Sequence, residues 1–410
     1  MNHSLSSLLT FACLLASTFA TPVKRDGSYS KIFRQASGPN LRNGVVELDR
    51  TFRKYGIASP QALSDVATEQ KSAIASGLAT ITNEKVAASG GNGEGSVVAN
   101  PMLHDSQYLS PVTIGGQTMN LDVDTGSADL WIFNTALPAE DQQDRTVYNP
   151  SNSPTYHAVT GATFAVNYGD GSQTYGTVGT DTVEVGGISV QNQAIELPYA
   201  VSASFANDTN SNGILGLAFQ SDNTIKPTPQ PTFFENAIPS LQAPVFTANL
   251  KAGTAGSYQF GFIDNTAYSG SLHYTPVVNS ASAKGLWAFD TNPGANVAIA
   301  DTGSSLLLLD DDIVGAYWAP VPGHTSDATG ITFPCDTQLP DFQIQLGEYT
   351  ATIAGELINY APTTDQPGYC FGGIQSNMGQ GINVFGDILF ASQFVVFDAG
   401  NMQIGFAPHA

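Results

Sequence analysis

The amino-acid sequence predicts an all-β protein made of two related lobes with a cleft between them. From residue 108 onward, short apolar or alternating runs are separated by Gly, Asn, Asp or Pro, which is typical of short strands joined by turns. The four-residue word Asp-Thr-Gly-Ser occurs twice, at residues 124–127 and 301–304. A second repeated pattern, two apolar residues followed by a glycine, lies further along the chain from each copy. It ends at Gly216 after the first copy and at Gly386 after the second. A repeat of this extent indicates two lobes of common ancestry.

The chain is expected to divide into four segments. With 410 residues it is too long for a domain with a single core. An apolar run followed by small residues predicts a signal peptide over residues 1–20. Residues 21–86 differ from the rest in charge. The first lobe is expected over residues 87–265 and the second over 266–410, so that each contains one copy of both words.

Local sequence patterns also predict a hairpin and a few helices. Residues 163–176 contain Asp-Gly between two alternating runs, which predicts a projecting hairpin. Helical periodicity is scarce. The best helical candidates are residues 45–55, 63–74, 231–237 and 310–318.

Charge is divided unevenly along the chain. Ten of the 14 basic residues but six of the 35 acidic ones lie in residues 21–86, so this segment carries +4 and the remainder carries −25. The acidic chain beyond residue 86, called the body below, is expected to bind neither nucleic acid nor an anionic membrane. No stretch after the signal peptide is apolar enough to span a bilayer, so the product is expected to be soluble and exported. The acidity fits a protein that works in acid surroundings; a role in solubility alone is the alternative.

The two repeated words offer two carboxylates, Asp124 and Asp301. Each follows an apolar run, which places it where a buried strand ends. Two aspartates held face to face cannot both ionise easily, so they share a proton and act as one base and one acid. Such a pair can direct a water molecule at a peptide carbonyl. One copy alone would be an ordinary Asp turn; two copies in matching contexts favour a catalytic pair.

The other residues of each word suit the support of this pair. Glycine lets the backbone bend sharply and approach the other copy closely. The threonine hydroxyls can bond the backbone of the opposite loop, while loop amides and serine hydroxyls can donate to the carboxylates. The candidate supporting residues are Thr125, Gly126, Ser127, Thr302, Gly303 and Ser304.

Several motifs together resemble a known family. Residues 111–115 (Pro-Val-Thr-Ile-Gly) and 123–131 (Val-Asp-Thr-Gly-Ser-Ala-Asp-Leu-Trp) are similar to the first lobe of pepsin-like aspartic endopeptidases, in particular the secreted fungal enzymes of the penicillopepsin and aspergillopepsin type. The likeness runs from about Ala87 to the C-terminus. It implies the bilobal pepsin-like acid protease fold, a monomer, no cofactor and no metal. It also implies cleavage of peptides and proteins at acid pH, beside bulky hydrophobic residues, with inhibition by pepstatin-type compounds.

The resemblance also assigns residues that cover the cleft. The hairpin is similar to the family's flap, whose tyrosine closes over bound peptide and bonds the indole nitrogen of a tryptophan, here Trp131. Its tip resembles that of members that also accept lysine before the cleaved bond. The candidate flap residues are Tyr168, Gly169, Asp170 and Ser172.

The pocket for the side chain before the cleaved bond is assigned in the same way. Its candidate walls are Phe205, Ile214, Ile299 and Ser304, which would otherwise be ordinary core residues. Gly303 and Ser304 are expected to bond the substrate backbone.

Residues 21–86 are expected to be an activation propeptide, with a flexible tail as the alternative. At neutral pH its positive charge is attracted to the acidic remainder of the chain. This attraction weakens as the carboxylates of that remainder become protonated. The pair Lys54-Tyr55 is similar to the lysine and tyrosine that occupy the cleft of pepsin-like zymogens. Lys54 is therefore predicted to ion-pair with the two aspartates, and the cut is placed between Lys85 and Ser89.

The remaining motifs concern covalent modification and metals. Cys13 falls in the predicted signal peptide, which leaves Cys335 and Cys370 as an expected disulfide in a secreted chain. Asn207 begins the glycosylation sequon Asn-Asp-Thr. The six histidines show no metal-ligand spacing.

Two other functions are weighed against the protease. A binding or inhibitor protein of the same fold that has lost activity would show a damaged aspartate pair or flap, and the sequence shows no such damage. A glycosidase also uses two carboxylates but holds them roughly 5–9 Å apart. The repeated word favours direct contact instead.

Overall fold

A computed structural model describes residues 22–23, 43–75, 92–102, 107–143, 145–167, 173–206, 208–291 and 297–410. Strands dominate the described ranges, which confirms the all-β prediction. The strands of the first part of the chain are β1 (Pro22–Val23), β2 (Gly95–Pro101), β3 (Tyr108–Ile114), β4 (Gln117–Asp124), β5 (Leu130–Ile132), β6 (His157–Asn167), β7 (Gln173–Val185), β8 (Ile188–Ala200), β9 (Gly213–Gly216), β10 (Val245–Lys251) and β11 (Thr254–Phe260).

The second part of the chain is equally rich in strands. They are β12 (His273–Pro276), β13 (Ala288–Phe289), β14 (Val297–Ala300), β15 (Leu307–Leu309), β16 (Thr325–Asp327), β17 (Gly330–Pro334), β18 (Asp341–Leu346), β19 (Tyr349–Ile353), β20 (Asn359–Pro362), β21 (Tyr369–Gly372), β22 (Ile374–Ser376), β23 (Ile382–Phe385), β24 (Gln393–Asp398) and β25 (Gln403–Pro408).

The helices are short apart from the first two. They are α1 (Gly44–Lys54), α2 (Gln61–Ala75), α3 (Ala139–Gln142), α4 (Ala203–Ala206), α5 (Phe233–Ala237), α6 (Asp311–Trp318), α7 (Gly355–Ile358) and α8 (Asp387–Phe390), with 3-10 turns at Pro150–Asn152, Gln220–Asp222 and Ile238–Ser240.

The four predicted helices correspond to α1, α2, α5 and α6, and the predicted hairpin corresponds to β6 and β7. Asn43 caps α1 by accepting a hydrogen bond from the Val46 amide, and Thr232 forms a capping box with Glu235 at α5. The helices α3, α4, α7 and α8 were not predicted, because one helical turn is too short to show periodicity.

One sheet of 13 strands runs through both lobes. Its strand order is β12-β25-β24-β10-β11-β2-β3-β4-β9-β5-β8-β7-β6. The second lobe contributes β12, β24 and β25, and β24 pairs directly with β10. The predicted boundary at residues 265–266 therefore falls between two strands of a shared sheet. Three smaller sheets complete the described fold, with orders β13-β14-β23-β15-β22, β16-β17-β21-β20 and β1-β18-β19.

The internal repeat predicted from sequence appears as one strand arrangement found twice. In the first lobe β9 runs parallel to β4 and antiparallel to β5; in the second, β23 runs parallel to β14 and antiparallel to β15. The Gly216 amide donates to the carbonyl of Asp129 (2.9 Å), and the Gly386 amide donates to that of Leu306 (3.0 Å). Both acceptors lie five residues after the aspartate of their lobe. A side chain at either glycine would collide with loop backbone, which explains the residue type.

The two lobes are packed together through aromatic side chains under the shared sheet. Phe246 of β10 stacks on Phe397 of β24 with ring centres 4.5 Å apart, and Trp287 packs edge-on against both rings. The Trp287 indole nitrogen donates to the carbonyl of Leu217, the residue that follows Gly216 (2.9 Å). This contact ties the second lobe to the strand that lies behind the first aspartate loop.

The described helices of the predicted propeptide are folded against both lobes. Leu48 and Phe52 of α1 and Leu63 and Ala67 of α2 are buried in the main hydrophobic core. Gly44 packs so closely on the ring of Phe371 in β21 that a side chain there would collide with it. Residues 43–75 therefore form part of the folded molecule, in contrast to a flexible tail.

The predicted disulfide between Cys335 and Cys370 is confirmed, with an S–S distance of 1.98 Å. It lies beside the pairing of β17 with β21. Within the described ranges, no helix has both the length and the apolar character needed to cross a membrane. The predicted signal peptide and the cut between Lys85 and Ser89 lie outside the described residues.

Two buried carboxyl groups share a partner beside β5. Glu196 of β8 is fully buried and Asp129 is 5% exposed. The side-chain nitrogen of Asn223 donates to Asp129 Oδ1 (2.8 Å) and to Glu196 Oε1 (3.2 Å). Burial, and then the neighbouring Asp129, raises the pKa of the Glu196 carboxyl well above its usual range. Glu196 therefore remains protonated at a pH where a free carboxyl would be ionised.

We expect Glu196 to make the protein less stable as the pH rises. A carboxyl with a higher pKa in the folded chain binds more protons there, so its stabilising contribution is complete below its ordinary pKa and is lost as the pH rises towards the folded-state pKa. Glu196→Gln mimics the protonated side chain and should flatten this loss, by about 1.4 kcal/mol for each unit of pKa shift.

The measurement is the free energy of unfolding in urea across the acid-to-neutral range. Glu184→Gln is the matched control, because Glu184 is an exposed carboxylate on the neighbouring strand β7. A Glu196→Gln variant whose stability declines with pH as steeply as that of the wild type would contradict the assignment.

Candidate active site

The two aspartates of the repeated words occupy equivalent places in the two lobes. Asp124 is the last residue of β4, and Asp301 directly follows β14. Asp124 is 3% exposed and Asp301 is fully buried. The sequence predicted both positions, because the apolar runs before the two words form these buried strands.

The threonines lock the two loops together, as the sequence suggested. The Thr125 amide donates to the Thr302 hydroxyl (3.1 Å), and the Thr302 amide donates to the Thr125 hydroxyl (3.0 Å). Each hydroxyl then donates across to the other lobe: that of Thr125 to the carbonyl of Ala300 (2.8 Å), and that of Thr302 to the carbonyl of Val123 (2.6 Å). Four reciprocal hydrogen bonds thus fix the separation of the two aspartates.

The glycines and serines surround the carboxylates. The amide of Gly126 donates to Asp124 Oδ1 (2.8 Å), and that of Gly303 donates to Asp301 Oδ1 (2.9 Å). A side chain at either glycine would collide with the carboxylate of the opposite lobe. Ser127 donates to Asp124 Oδ2 (2.6 Å). Its counterpart Ser304 is buried, and its amide donates to the carbonyl of Asp301 (3.4 Å).

Lys54 and Tyr55, at the end of α1, contact both aspartates. Lys54 Nζ lies 2.6 Å from Asp124 Oδ1 and 2.7 Å from Asp301 Oδ1. The Tyr55 hydroxyl donates to Asp301 Oδ2 (2.8 Å). The ion pair predicted from sequence is therefore present, and one ammonium group bridges the two carboxylates.

Opposing effects set the pKa values of this group. Burial raises the pKa of Asp124 and outweighs the nearby Lys54. Burial also acts to raise the pKa of Asp301, but the Lys54 ammonium lowers it to about 2. For Lys54 itself, burial acts to lower the pKa, yet the two aspartates raise it above the ordinary value. Lys54 therefore remains a cation with Asp301 as its ionised partner.

The predicted pocket residues fall into two clusters. Trp131 is buried and packs edge-on against Phe205 at 5.0 Å between ring centres, and Ile214 joins the same cluster. Ile299 lies in a different cluster, against which Tyr55 packs. Phe205 and Ile214 thus share one cluster and Ile299 lies in another; that they line one substrate pocket stays a prediction.

Some predicted site residues cannot be placed. Tyr168, Gly169, Asp170, Ser172 and the sequon residue Asn207 lie outside the described residues. The hairpin strands that lead to the flap tip are described, and Asn167 pairs with Gln173 at its base.

Sequence reasoning missed two charged residues near the site. Arg50 of α1 donates to the Asp122 carboxylate (2.8 Å), two residues before Asp124. Arg145 donates to the carbonyls of Phe205, Ala206 and Ser211, and so holds the segment that carries the pocket wall. Two signals could have identified them: the spacing of Arg50 and Lys54 on one helix face, and the rarity of basic residues in the acidic body.

Comparison with known proteins agrees with this geometry. The model of the eukaryotic aspartyl protease family matches residues 107–409. The chain therefore belongs to the eukaryotic aspartyl protease family, and it is an aspartic endopeptidase. Within that family it is similar to fungal enzymes of the aspergillopepsin and penicillopepsin type.

Individual relatives cover most of the chain. Aspergillopepsin-1 of Aspergillus flavus is 42% identical over 401 residues, which covers 94% of this chain and 92% of the relative. Penicillopepsin-1 of Penicillium janthinellum is 49% identical over 320 residues, 76% of this chain and 97% of the relative. Endothiapepsin of Cryphonectria parasitica is 40% identical over 438 residues, 99% of this chain and all of the relative.

The threonine lock should be a measurable part of the stability. Thr125→Val keeps the shape of the side chain but leaves the Ala300 carbonyl and the Thr302 amide without their partner, both in a buried setting. Each unsatisfied group costs about 1–3 kcal/mol, so we expect the free energy of unfolding to fall by about 3 kcal/mol. Urea denaturation at neutral pH measures the change.

Thr125→Ser is the matched control, because it retains the hydroxyl and should lose far less stability. A Thr125→Val chain that loses no more stability than Thr125→Ser would contradict the assignment of this stability to the hydroxyl hydrogen bonds.

Proposed function

We propose that this chain is a secreted precursor of an aspartic endopeptidase, in which Asp124 and Asp301 are the catalytic pair and residues 21–86 are the propeptide that keeps it silent. The observation that carries the proposal is the single ammonium group of Lys54, which lies within hydrogen-bond distance of both carboxylates. An ammonium group at that point excludes both a substrate carbonyl and the attacking water. Removal of α1 would expose the pair.

The chemistry then follows from a shared proton. One carboxylate takes a proton from a water molecule as the water oxygen bonds to the peptide carbonyl carbon, and the other carboxyl gives its proton to the carbonyl oxygen. The tetrahedral intermediate collapses when the carboxyl that took the water's proton gives it to the nitrogen, the C–N bond breaks, and a hydroxyl of the intermediate returns its proton to the other carboxylate, which leaves an amine, a carboxylic acid and the starting pair. The amides of Gly126 and Gly303 and the hydroxyl of Ser127 hold the carboxylates in place throughout.

Acid pH suits both the reaction and the release of the propeptide. The reaction needs one protonated and one ionised aspartate, and protonation of the body's carboxylates removes the attraction for a segment of charge +4. We propose substrates with bulky hydrophobic residues flanking the cleaved bond, in keeping with the apolar cluster of Trp131, Phe205 and Ile214. Acceptance of lysine before that bond, through Asp170, is part of the same proposal.

The first test is incubation of the secreted full-length chain with a denatured protein at acid pH. We expect cleavage that pepstatin blocks, together with loss of the basic N-terminal segment. Asp124→Asn should reduce cleavage by roughly 10²- to 10⁴-fold, because it removes one member of the acid–base pair. Asp365→Asn, at an exposed loop carboxylate, is the control and should cleave normally. A folded, processed chain without cleavage would favour a silent binding protein.

A second test concerns Lys54 as the inhibitory residue. Lys54→Met leaves the two buried carboxylates without their cation, and loss of one partner from a buried ion pair costs about 3 kcal/mol. The fraction of full-length chain that binds immobilised pepstatin near neutral pH should therefore rise roughly a hundredfold. Arg53→Met is the matched control, since Arg53 pairs with Asp49 of its own helix. A Lys54→Met chain as inert as the wild type would refute the inhibitory role.

A further inference from the structure

The outer edge of the β6–β7 hairpin is tied to a loop that follows the 3-10 turn at Gln220–Asp222. β6 is the terminal strand of the 13-stranded sheet, and this loop takes the place of a further strand beside it. The Lys226 amide donates to the carbonyl of Thr163 (2.8 Å), and the Thr163 amide donates to the carbonyl of Lys226 (3.1 Å). Residues 223–230, called the brace below, therefore hold β6 from outside the sheet.

The brace also packs beneath the hairpin. Ile225 is 2% exposed and belongs to the apolar cluster that contains Phe164 of β6 and Trp131 of β5. Phe205 and Ile214 pack against the same cluster. Because a close-packed interior leaves few voids, a displaced Ile225 would shift the side chains around it. The position of the brace therefore affects the residues that the sequence assigned to the substrate pocket.

One buried side chain, that of Asn223, gives the brace its shape. Its Oδ1 atom accepts hydrogen bonds from the amides of Ile225 (3.2 Å) and Gln230 (2.8 Å), which closes the loop on itself. Its Nδ2 atom donates to the carbonyl of Ala128 (3.2 Å) and to Asp129 Oδ1 (2.8 Å). Asn223 thus joins the brace to the loop that begins with the first Asp-Thr-Gly-Ser word.

The contacts of position 223 suit a carboxamide. A side-chain oxygen must accept from two loop amides, while a side-chain nitrogen donates to a carbonyl and to two buried carboxyl groups. Aspartate would place a third carboxyl group beside Asp129 and Glu196, and alanine would remove the donor that they share. The Thr224 amide and hydroxyl also donate to Asp129 Oδ1 (2.8 and 3.2 Å), so an alanine variant retains part of the attachment.

We propose that Asn223 is a positioning residue for peptide binding, because through the brace it fixes both the edge of β6 and the apolar cluster of Trp131, Phe205 and Ile214. Asn223 acts through other residues, so its effect falls on the affinity for a peptide and not on the bond-breaking step. The hold on β6 stands on the contacts described above. The effect on binding rests on the proposed function.

Hydrogen exchange in the full-length chain tests the hold on β6 without any need for catalysis. Asn223→Ala removes the bonds that shape the brace, so the amides of residues 164–166 should exchange roughly tenfold faster, as local opening becomes easier. Thr163→Pro removes one of the two bonds between β6 and the brace at an outward-facing amide, a place where a strand tolerates proline. It should accelerate the exchange of the same amides.

Two controls separate the brace from charge and from general stability. Lys226→Gln removes the exposed charge but retains both backbone bonds to Thr163, and it should exchange like the wild type. Asp398→Ala removes the acceptor of three hydrogen bonds in the turn between β24 and β25. It should lower the Tm and leave the exchange of residues 164–166 unchanged.

Kinetics of the acid-processed chain test the effect on binding. For Asn223→Ala we expect the KM of a peptide substrate and the Kd of pepstatin to rise roughly tenfold, while kcat changes by less than about twofold. Thr163→Pro should show the same division between KM and kcat. Asp398→Ala should change neither constant at a temperature well below its Tm, because a loss of stability alone does not weaken binding by the folded fraction.

Two results would overturn the proposal. A folded Asn223→Ala chain with wild-type exchange in residues 164–166 would show that the brace does not hold β6. A fall in kcat at constant KM would refute a role in binding. If Asn223→Ala does not fold, Thr163→Pro decides both points, since it leaves the Asn223 contacts intact. If even the wild type cleaves no peptide and binds no pepstatin, the proposed function and the binding role fail together, whereas the exchange result still decides the hold on β6.

Discussion

Two carboxylates held together in a buried place are the constraint on which the rest of this structure depends. An ionised carboxylate without water is unfavourable unless hydrogen bonds or a cation compensate it. Asp124 and Asp301 each receive an amide hydrogen bond from their own loop, and the threonine lock prevents the loops from separating. The 13-stranded sheet serves the same end at larger scale, because it fixes one lobe against the other.

The backbone around the two aspartates is nearly symmetric, whereas their electrostatics are not. Both loops have the same strand arrangement and the same glycine and threonine contacts. The two carboxylates have different side-chain partners, since Ser127 donates to Asp124 while Tyr55 donates to Asp301. Burial outweighs Lys54 at Asp124, whereas at Asp301 the Lys54 ammonium outweighs burial. The pKa of Asp124 is raised and that of Asp301 is lowered. A duplicated scaffold therefore supplies the geometry, and in the full-length chain α1 makes the pKa values of the two aspartates differ.

The sequence predicted those parts of the molecule that depend on local or repeated patterns. The two words, the strands before them, α1 and the contact of Lys54 with the aspartates were all readable in this way. The arrangement of Glu196, Asp129 and Asn223 was not, because it depends on which strands become neighbours. The continuation of one sheet through both lobes was missed for the same reason. The contact of Arg50 with Asp122 could in principle have been predicted, because the spacing of Arg50 and Lys54 along α1 matches that of Asp122 and Asp124 along β4.

The cations of α1 face carboxyl groups that titrate in different pH ranges, so the contacts of α1 are lost in steps as the pH falls. The Asp122 carboxyl has a pKa of about 7, so its attraction for Arg50 is lost first as the pH falls. Asp301 has a pKa of about 2, so its ion pair with Lys54 persists into strong acid. In the proposed activation, α1 would loosen at Arg50 while Lys54 still covers the aspartates. The aspartate pair would thus stay covered until the contact that titrates last is itself lost.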